Sequence, residues 1–223
     1  PNLVTMFLDR AALRGDRPFL GFKEGGEWRT ISWAETARRV AGLAKSLKVM
    51  GLKKGDRVML VSENRPEWCI ADLAIMAAGC VTVPTYITNT ERDHQHILDN
   101  SQSRAVIVST AKLAQHLMPA VVRSSECEFV IGMEPLKVTQ RGQQKHHDWA
   151  DLVQGTDADV RALTEEMAHV GRRELACIIY TSGTGGAPRG VMLHHGSIIC
   201  NVDGAAQVLR EDFGLNNERF LSF

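Results

Sequence analysis

The chain has 223 residues, enough for one large domain or two small ones with a substantial buried core. Apolar residues make up 44% and charged residues 23%, as in ordinary soluble globular proteins, and Lys+Arg and Asp+Glu are equal at 26 each. This balance argues against nucleic acid as a partner, because no overall basic field attracts phosphates. The longest apolar run, near residues 69–84, is too short to be a transmembrane segment, and the first 14 residues do not form a cleavable signal. We therefore predict a cytoplasmic protein.

Secondary-structure signals follow one another in a regular order along the chain. Residues 19–22 and 28–31 flank two glycines and predict a short hairpin. Ser32 with Glu35 three positions later is a capping-box pattern, which predicts a helix that ends near Gly51. Apolar runs predict strands at residues 57–62, 80–83, 104–108, 129–131 and 175–179. Helical spacing predicts further helices at residues 66–79, 90–100, 111–118, 158–168 and 195–210.

This alternation of strands and helices is typical of an α/β fold with a mainly parallel sheet covered by helices on both faces. Open sheets of this kind bind ligands beyond the carboxyl ends of their strands. The sequence between residues 133 and 157 is polar and poorly periodic, so we predict that it makes an excursion over the surface.

A stretch rich in glycine and hydroxyl groups, YTSGTGGAPRGV at residues 180–191, separates the last predicted strand from the last predicted helix. Its glycines lack a Cβ, which lets backbone N–H groups approach and surround an anion, and Arg189 adds a permanent cation. The stretch is not a Walker A loop, because Val191 and Met192 stand where Lys and Ser or Thr are required. The residue pattern alone is compatible with a phosphate-binding turn between strand and helix or with a simple turn.

The same stretch resembles, at nearly every position, the signature loop of the adenylate-forming (AMP-binding) superfamily, commonly written YTSGTTGxPKG. Gly185 stands where the family usually has Thr, and Arg189 stands where it usually has Lys. Two earlier stretches, GDRVMLVSENRPEW at residues 55–68 and AGCVTVPTY at residues 78–86, resemble the N-terminal region of acyl-CoA synthetases, the long-chain type most of all. The resemblance covers almost the whole chain.

The resemblance implies an enzyme that activates a fatty acid with ATP through an acyl-AMP intermediate and then transfers the acyl group to coenzyme A. The cofactors and co-substrates it implies are ATP, Mg²⁺ and coenzyme A. It assigns Thr184 as the residue near the metal and gives no catalytic residue within these 223 residues. The residues that it assigns to binding of the nucleotide phosphates are Thr181, Ser182, Gly183, Thr184, Gly185, Gly186, Arg189 and Gly190.

The resemblance also implies a domain organisation. Residues 1–223 correspond to the front part of the large N-terminal domain, with a first α/β subdomain at residues 1–172. Residues 173–223 are expected to hold the phosphate-loop strand and the helix that begin the next sheet. The later motifs of the family and its small C-terminal domain have no counterpart in these residues, so we expect a part of a longer enzyme that is inactive alone.

Two alternatives to fatty-acid activation stay open on the sequence. One is a non-catalytic fragment or pseudo-enzyme scaffold, which the Gly185 substitution favours because it removes a hydroxyl that the family normally offers. The other is an adenylating enzyme for an aryl or amino acid. The expected partners are a fatty acid, ATP and coenzyme A, without nucleic acid or a transmembrane segment, and peripheral contact with a membrane and a homodimer also stay open.

Overall fold

The computed structural model describes residues 1–136, 142–181 and 187–214. Within these ranges the helices are α1 (Leu3–Arg14), α2 (Trp33–Val49), α3 (Pro66–Ala77), α4 (Glu91–Ser101), α5 (Ala111–Arg123), α6 (Trp149–Leu152), α7 (Asp157–Met167) and α8 (His195–Glu211). The strands are β1 (Pro18–Glu24), β2 (Glu27–Ser32), β3 (Arg57–Val61), β4 (Val81–Thr85), β5 (Ser103–Val108), β6 (Phe129–Gly132), β7 (Lys145–Asp148), β8 (Leu175–Thr181) and β9 (Arg189–His194).

Seven of the described strands form one sheet in the order β7-β6-β5-β3-β4-β8-β9. The neighbours from β7 to β8 pair in parallel, whereas β9 is antiparallel to β8. Strands β1 and β2 form a separate antiparallel hairpin, as the sequence predicts. The prediction of a mainly parallel α/β sheet is therefore confirmed.

Both faces of the sheet are covered by helices, because alternate residues of the strands supply two apolar clusters. Val58 and Leu60 of β3 pack on one face, in a cluster shared with α1, α2, α3 and α7. Met59 and Val61 pack on the other face with α4 and α5. All four side chains are fully buried, which is why β3 reads as a continuous apolar run.

Several predicted boundaries differ from those of the structure. Helix α1 was not predicted, although Asn2 and Thr5 form a capping box at its start. Helix α5 continues through Pro119 to Arg123 and so extends beyond the predicted end at residue 118. Strand β4 includes Pro84, which lies opposite Leu60 of β3.

The predicted excursion between residues 133 and 157 is wrong in part, and residues 137–141 lie outside the described ranges. Lys145–Asp148 forms the edge strand β7 beside β6, and Trp149, at the start of α6, is buried with 7% exposure. Most side chains of this edge strand face solvent, so its sequence is polar and lacks the apolar run by which the other strands were predicted.

The strand that precedes the glycine-rich stretch does not begin a second sheet within the described residues. Strand β8 pairs with β4, with Thr82 opposite Cys177, and thereby extends the first sheet. Strand β8 thus has a partner on each side, β4 on one and β9 on the other, and both supply hydrogen bonds to its backbone. The division of the chain near residue 172 stays a prediction.

Candidate functional site

Three of the predicted phosphate-binding residues lie together where β8 and β9 meet. Thr181 is the last residue of β8, and it pairs across the hairpin with Arg189, the first residue of β9. Gly190 pairs with Tyr180 in the next position of the same register. The other predicted site residues, Ser182, Gly183, Thr184, Gly185 and Gly186, lie outside the described residues.

The glycine-rich stretch connects two antiparallel strands, and the predicted turn from strand to helix is wrong in this respect. Helix α8 begins at His195, after the six residues of β9. A strand of that length spans about 17 Å, so the helix N-terminus lies at the far end of β9 from the loop. The dipole of α8 is therefore too distant to act on an anion beside the adjoining ends of β8 and β9.

The loop emerges at the carboxyl end of the parallel strands, where α/β sheets place their ligands. Thr85 ends β4, the neighbour of β8, and its buried Oγ1 has no hydrogen-bond partner among the described residues. On the next strands of the same edge, the hydroxyl of Ser109 donates to Glu63. This edge therefore carries a row of polar side chains beside the exposed Thr181.

The strand before the loop is anchored through the side chain of Tyr180. The Tyr180 ring is 5% exposed, and its hydroxyl donates a hydrogen bond of 2.6 Å to Oδ1 of Asn100, at the end of α4. Burial of the ring raises the pKa of Tyr180, so the hydroxyl stays protonated and remains a donor at neutral pH.

The strand after the loop is anchored from the same helix. Nε2 of His96 lies 2.8 Å from the backbone oxygen of Pro188. A carbonyl oxygen can only accept, so Nε2 of His96 must carry the proton. The His96 ring also stands edge-on to Tyr180, with 6.3 Å between the ring centroids and an interplanar angle of 87°.

Gly190 allows β9 to approach β8 closely at the base of the loop. A Cβ at this position would lie 2.7 Å from Cγ2 of Ile178 and 3.1 Å from Cζ of Tyr180. Both distances are shorter than ordinary carbon contacts, which are about 3.5–4.0 Å. The structure therefore explains this glycine by close packing of two strands.

Arg189 offers its charge to solvent. The residue is exposed, and its guanidinium makes no hydrogen bond or ion pair with another described residue. A guanidinium presents planar, paired N–H donors that match phosphate oxygens. Arg189 is therefore available to an anion held near the end of β8.

His96 and Asn100 were not predicted to belong to the site. They are separated from their partners by 92 and 80 residues, respectively, so no local pattern connects them. Their spacing of four residues on one helix was the only available signal, because it places two polar side chains on one face of α4.

The Mg²⁺ expected from the resemblance depends on Thr184, which lies outside the described residues. In the part of the chain that the structure describes, no three His, Cys, Asp or Glu side chains come together as a metal site. The described residues therefore give no carboxylate set that fits the ion, and the metal contact stays a prediction.

None of the helices in the described ranges combines the length and the apolar character needed to cross a bilayer. The protein is of the α/β class, with a mainly parallel sheet and a glycine-rich loop beyond one strand end. The family model described as AMP-binding enzyme matches residues 7–223, and the chain belongs to this family.

Curated relatives include long-chain-fatty-acid–CoA ligases. The chain is 31% identical over 183 residues to FadD15 of Mycobacterium tuberculosis, a match that covers 81% of this chain and 29% of the relative. It is 30% identical over 216 residues to long-chain-fatty-acid–CoA ligase 6 of Mus musculus, covering 93% and 31% of the two chains. The chain thus spans about a third of the length of these relatives.

Solved structures with the same fold include acetoacetyl-CoA synthetase from Streptomyces lividans, with a TM-score of 0.75 and 22% identity over 96% of this chain and 33% of that one. Another is benzoate CoA ligase from Burkholderia xenovorans LB400, with a TM-score of 0.68 and 20% identity over 96% and 38%. At these identities the likeness establishes the fold alone.

Proposed function

We propose that the complete protein to which this chain belongs is an AMP-forming acyl-CoA synthetase acting on long-chain fatty acids. The observation that carries the proposal is the membership of the chain in the AMP-binding family, together with relatives named long-chain-fatty-acid–CoA ligases at up to 31% identity. The placement of Thr181, Arg189 and Gly190 at one end of the β8–β9 hairpin supports it.

The proposed reaction has two steps. A carboxylate oxygen of the acid attacks the α-phosphorus of ATP, the bond to pyrophosphate breaks, and acyl-AMP forms. The sulfur of coenzyme A then attacks the acyl carbon, the thiol loses its proton and AMP leaves. The first step needs hydrogen-bond donors for the departing pyrophosphate, since its negative charge grows as the bond breaks.

We assign that task to the glycine-rich loop and its flanking residues. Thr181 would donate from the end of β8 and Arg189 would pair with the phosphate oxygens, with Gly190 keeping the two strands close. The resemblance to the family signature assigns the remaining contacts to Ser182, Gly183, Thr184, Gly185 and Gly186. Bound Mg²⁺, held with the help of Thr184, would neutralise part of the phosphate charge.

An aryl acid is the second candidate substrate. Solved structures with the same fold include the benzoate CoA ligase and an anthranilate CoA ligase, but their identities of 20% and 22% are lower than those of the long-chain relatives. Sequence similarity therefore favours a fatty acid. The cytoplasmic location, peripheral membrane contact and homodimer stay predictions of the sequence.

The test uses the complete protein encoded by the gene, incubated with ATP, Mg²⁺ and coenzyme A and with palmitate, benzoate or acetoacetate. We expect AMP and acyl-CoA to accumulate in equal amounts with palmitate and much more slowly with the other acids. Preference for benzoate would establish the aryl alternative. Absence of AMP formation with all three acids, in a folded protein, would contradict the proposed activity and favour the non-catalytic scaffold.

A second arm uses the 223-residue chain alone. We expect no sustained AMP formation from it, because the later motifs of the family have no counterpart in these residues, which leaves the phosphate contacts of the loop to hold ATP. With so few contacts to offset the entropy of association, ATP should bind no better than about millimolar. Multiple turnovers that depend on palmitate would show that these residues already hold the complete reaction centre.

A further inference from the structure

Helix α4 holds both strands that flank the glycine-rich loop. Asn100 accepts the hydrogen bond of Tyr180 on β8, and His96 donates to the carbonyl of Pro188, just before β9. His96 and Asn100 lie one helical turn apart and therefore on the same face of α4. One rigid element thus contacts the chain on each side of the loop.

The helix itself is firmly fixed in the fold. Its start is closed by a capping box in which Thr90 and Asp93 satisfy each other's backbone N–H groups. Its other face buries Ile97 and Leu98, at 2% and 0% exposure, in the apolar cluster shared with α5 and the sheet. A helix held at its start and along one buried face gives His96 and Asn100 a fixed backbone from which to reach their partners.

The anchored residues directly precede two of the predicted phosphate-binding residues. Thr181 follows Tyr180, and Arg189 follows Pro188. Thr181 and Arg189 are also backbone partners in the register of β8 and β9. Any displacement of Tyr180 or Pro188 therefore moves a residue that the proposed reaction needs in a set orientation.

We propose that His96 and Asn100 are positioning residues for the nucleotide site. They act through Tyr180 and Pro188 and hold Thr181 and Arg189 in the geometry that the ATP phosphates require. The proposal rests on the proposed function, because only that function assigns phosphates to Thr181 and Arg189. Neither residue is assigned a contact with substrate, since each reaches the site through another residue.

The test compares variants of the complete protein by fatty-acid-dependent exchange of pyrophosphate into ATP. His96→Ala and Asn100→Ala each remove one of the two anchors. His96→Gln keeps an N–H donor and Asn100→Asp keeps an oxygen acceptor, so these two variants should rescue the exchange. Gln95→Ala is the matched control, because among the described residues the Gln95 side chain bonds to Asp99 and Arg123 and not to the hairpin.

We expect His96→Ala and Asn100→Ala to raise the KM for ATP by up to about tenfold, the effect of losing one partly buried hydrogen bond. The KM for the fatty acid and the circular dichroism spectrum should be unchanged. Gln95→Ala and the two conservative variants should resemble the wild type. Hydrogen exchange of the complete protein should be faster at the Tyr180–Gly190 and Thr181–Arg189 pairs in both alanine variants than in the wild type.

The possible results separate the two proposals. If the wild type performs the exchange and the alanine variants match Gln95→Ala in KM, the positioning role is wrong. Equal losses in the alanine and conservative variants would also overturn it. If the wild type performs no pyrophosphate exchange with any acid, the proposed function is wrong, and so is the role of His96 and Asn100 in ATP binding. Hydrogen exchange still decides, in that case, whether α4 anchors the hairpin.

Discussion

Gly190 lies against the ring of Tyr180 across the β8–β9 hairpin, so closely that an added Cβ would stand 3.1 Å from Cζ of that ring. The backbone of Gly190 is not in the left-handed region, so an alanine could adopt its conformation. The requirement for glycine at this position is therefore one of space. It links the base of the predicted phosphate loop to the packing of the sheet.

We expect Gly190→Ala to lower the free energy of unfolding by about 1–3 kcal/mol, because the methyl group must displace Ile178 or Tyr180. Movement of either side chain shifts β9 against β8, so ATP-dependent exchange in the complete protein should also fall. Urea denaturation and the exchange assay measure the two effects.

Gly204→Ala is the control for this substitution. Gly204 lies within α8, and a Cβ there would meet nothing within 4 Å. Alanine should therefore stabilise the protein by about 0.8–1.0 kcal/mol through its higher helix propensity. Destabilisation of similar size in both variants would show that close packing at Gly190 is not the cause.

Thr184→Val should lower acyl-AMP formation by the complete protein about 100- to 1,000-fold, the usual effect of removing one donor to a developing charge. The prediction comes from the resemblance of the loop to the family signature, which assigns the Thr184 hydroxyl to the phosphates and the metal. Valine has nearly the same shape as threonine, so the urea midpoint should change little. Pyrophosphate release at saturating ATP is the measurement, and a wild-type rate would contradict the assignment.

Gly185→Thr should leave activity unchanged or raise it, because it restores the hydroxyl that the family usually has at this position. The KM for ATP, measured beside that of the wild type, is the sensitive quantity. A severe loss of activity in a variant that folds normally would mean that the loop of this protein has adapted to glycine.

His94 on α4 should make the protein less stable in acid. Its side chain is 1% exposed, its Nδ1 has no hydrogen-bond partner among the described residues, and burial lowers its pKa to about 4 from an ordinary value of 6.5. The unfolded chain therefore binds a proton between these values that the folded protein does not bind. Stability is lost as the pH falls from 6.5 to 4, by about 3 kcal/mol in total.

The measurement is urea denaturation at pH 7 and pH 4.5 for the wild type and His94→Leu. The leucine variant has no titrating group at this position, so it should lose about 2–3 kcal/mol less than the wild type between the two pH values. The charge of Asp93 raises the pKa of His94, and the imidazole of His116 lowers it further. Both residues are therefore kept in the wild type and in the leucine variant. An equal loss of unfolding free energy between pH 7 and pH 4.5 in both proteins would contradict the assigned role of His94.

The sequence by itself determined the elements whose signals are local. Ser32 with Glu35 predicted the start of α2, and in the structure the Ser32 side chain accepts a hydrogen bond from the backbone N–H of Glu35 at that position. The apolar residues of β3 predicted a strand buried on both faces, and all of Val58–Val61 are fully buried. Caps and apolar runs depend on residues within a few positions of one another, so one sequence suffices to read them.

Only the tertiary structure decided which strands pair and what holds the loop. Strand β8 lies beside β4 although about 90 residues separate them, and β9 pairs with β8 where the sequence predicted a direct turn into α8. His96 meets Pro188 and Asn100 meets Tyr180 only because α4 packs beside that hairpin. Such contacts follow from the competition among many non-local pairings for burial and hydrogen bonds, and no single stretch of the sequence carries that information.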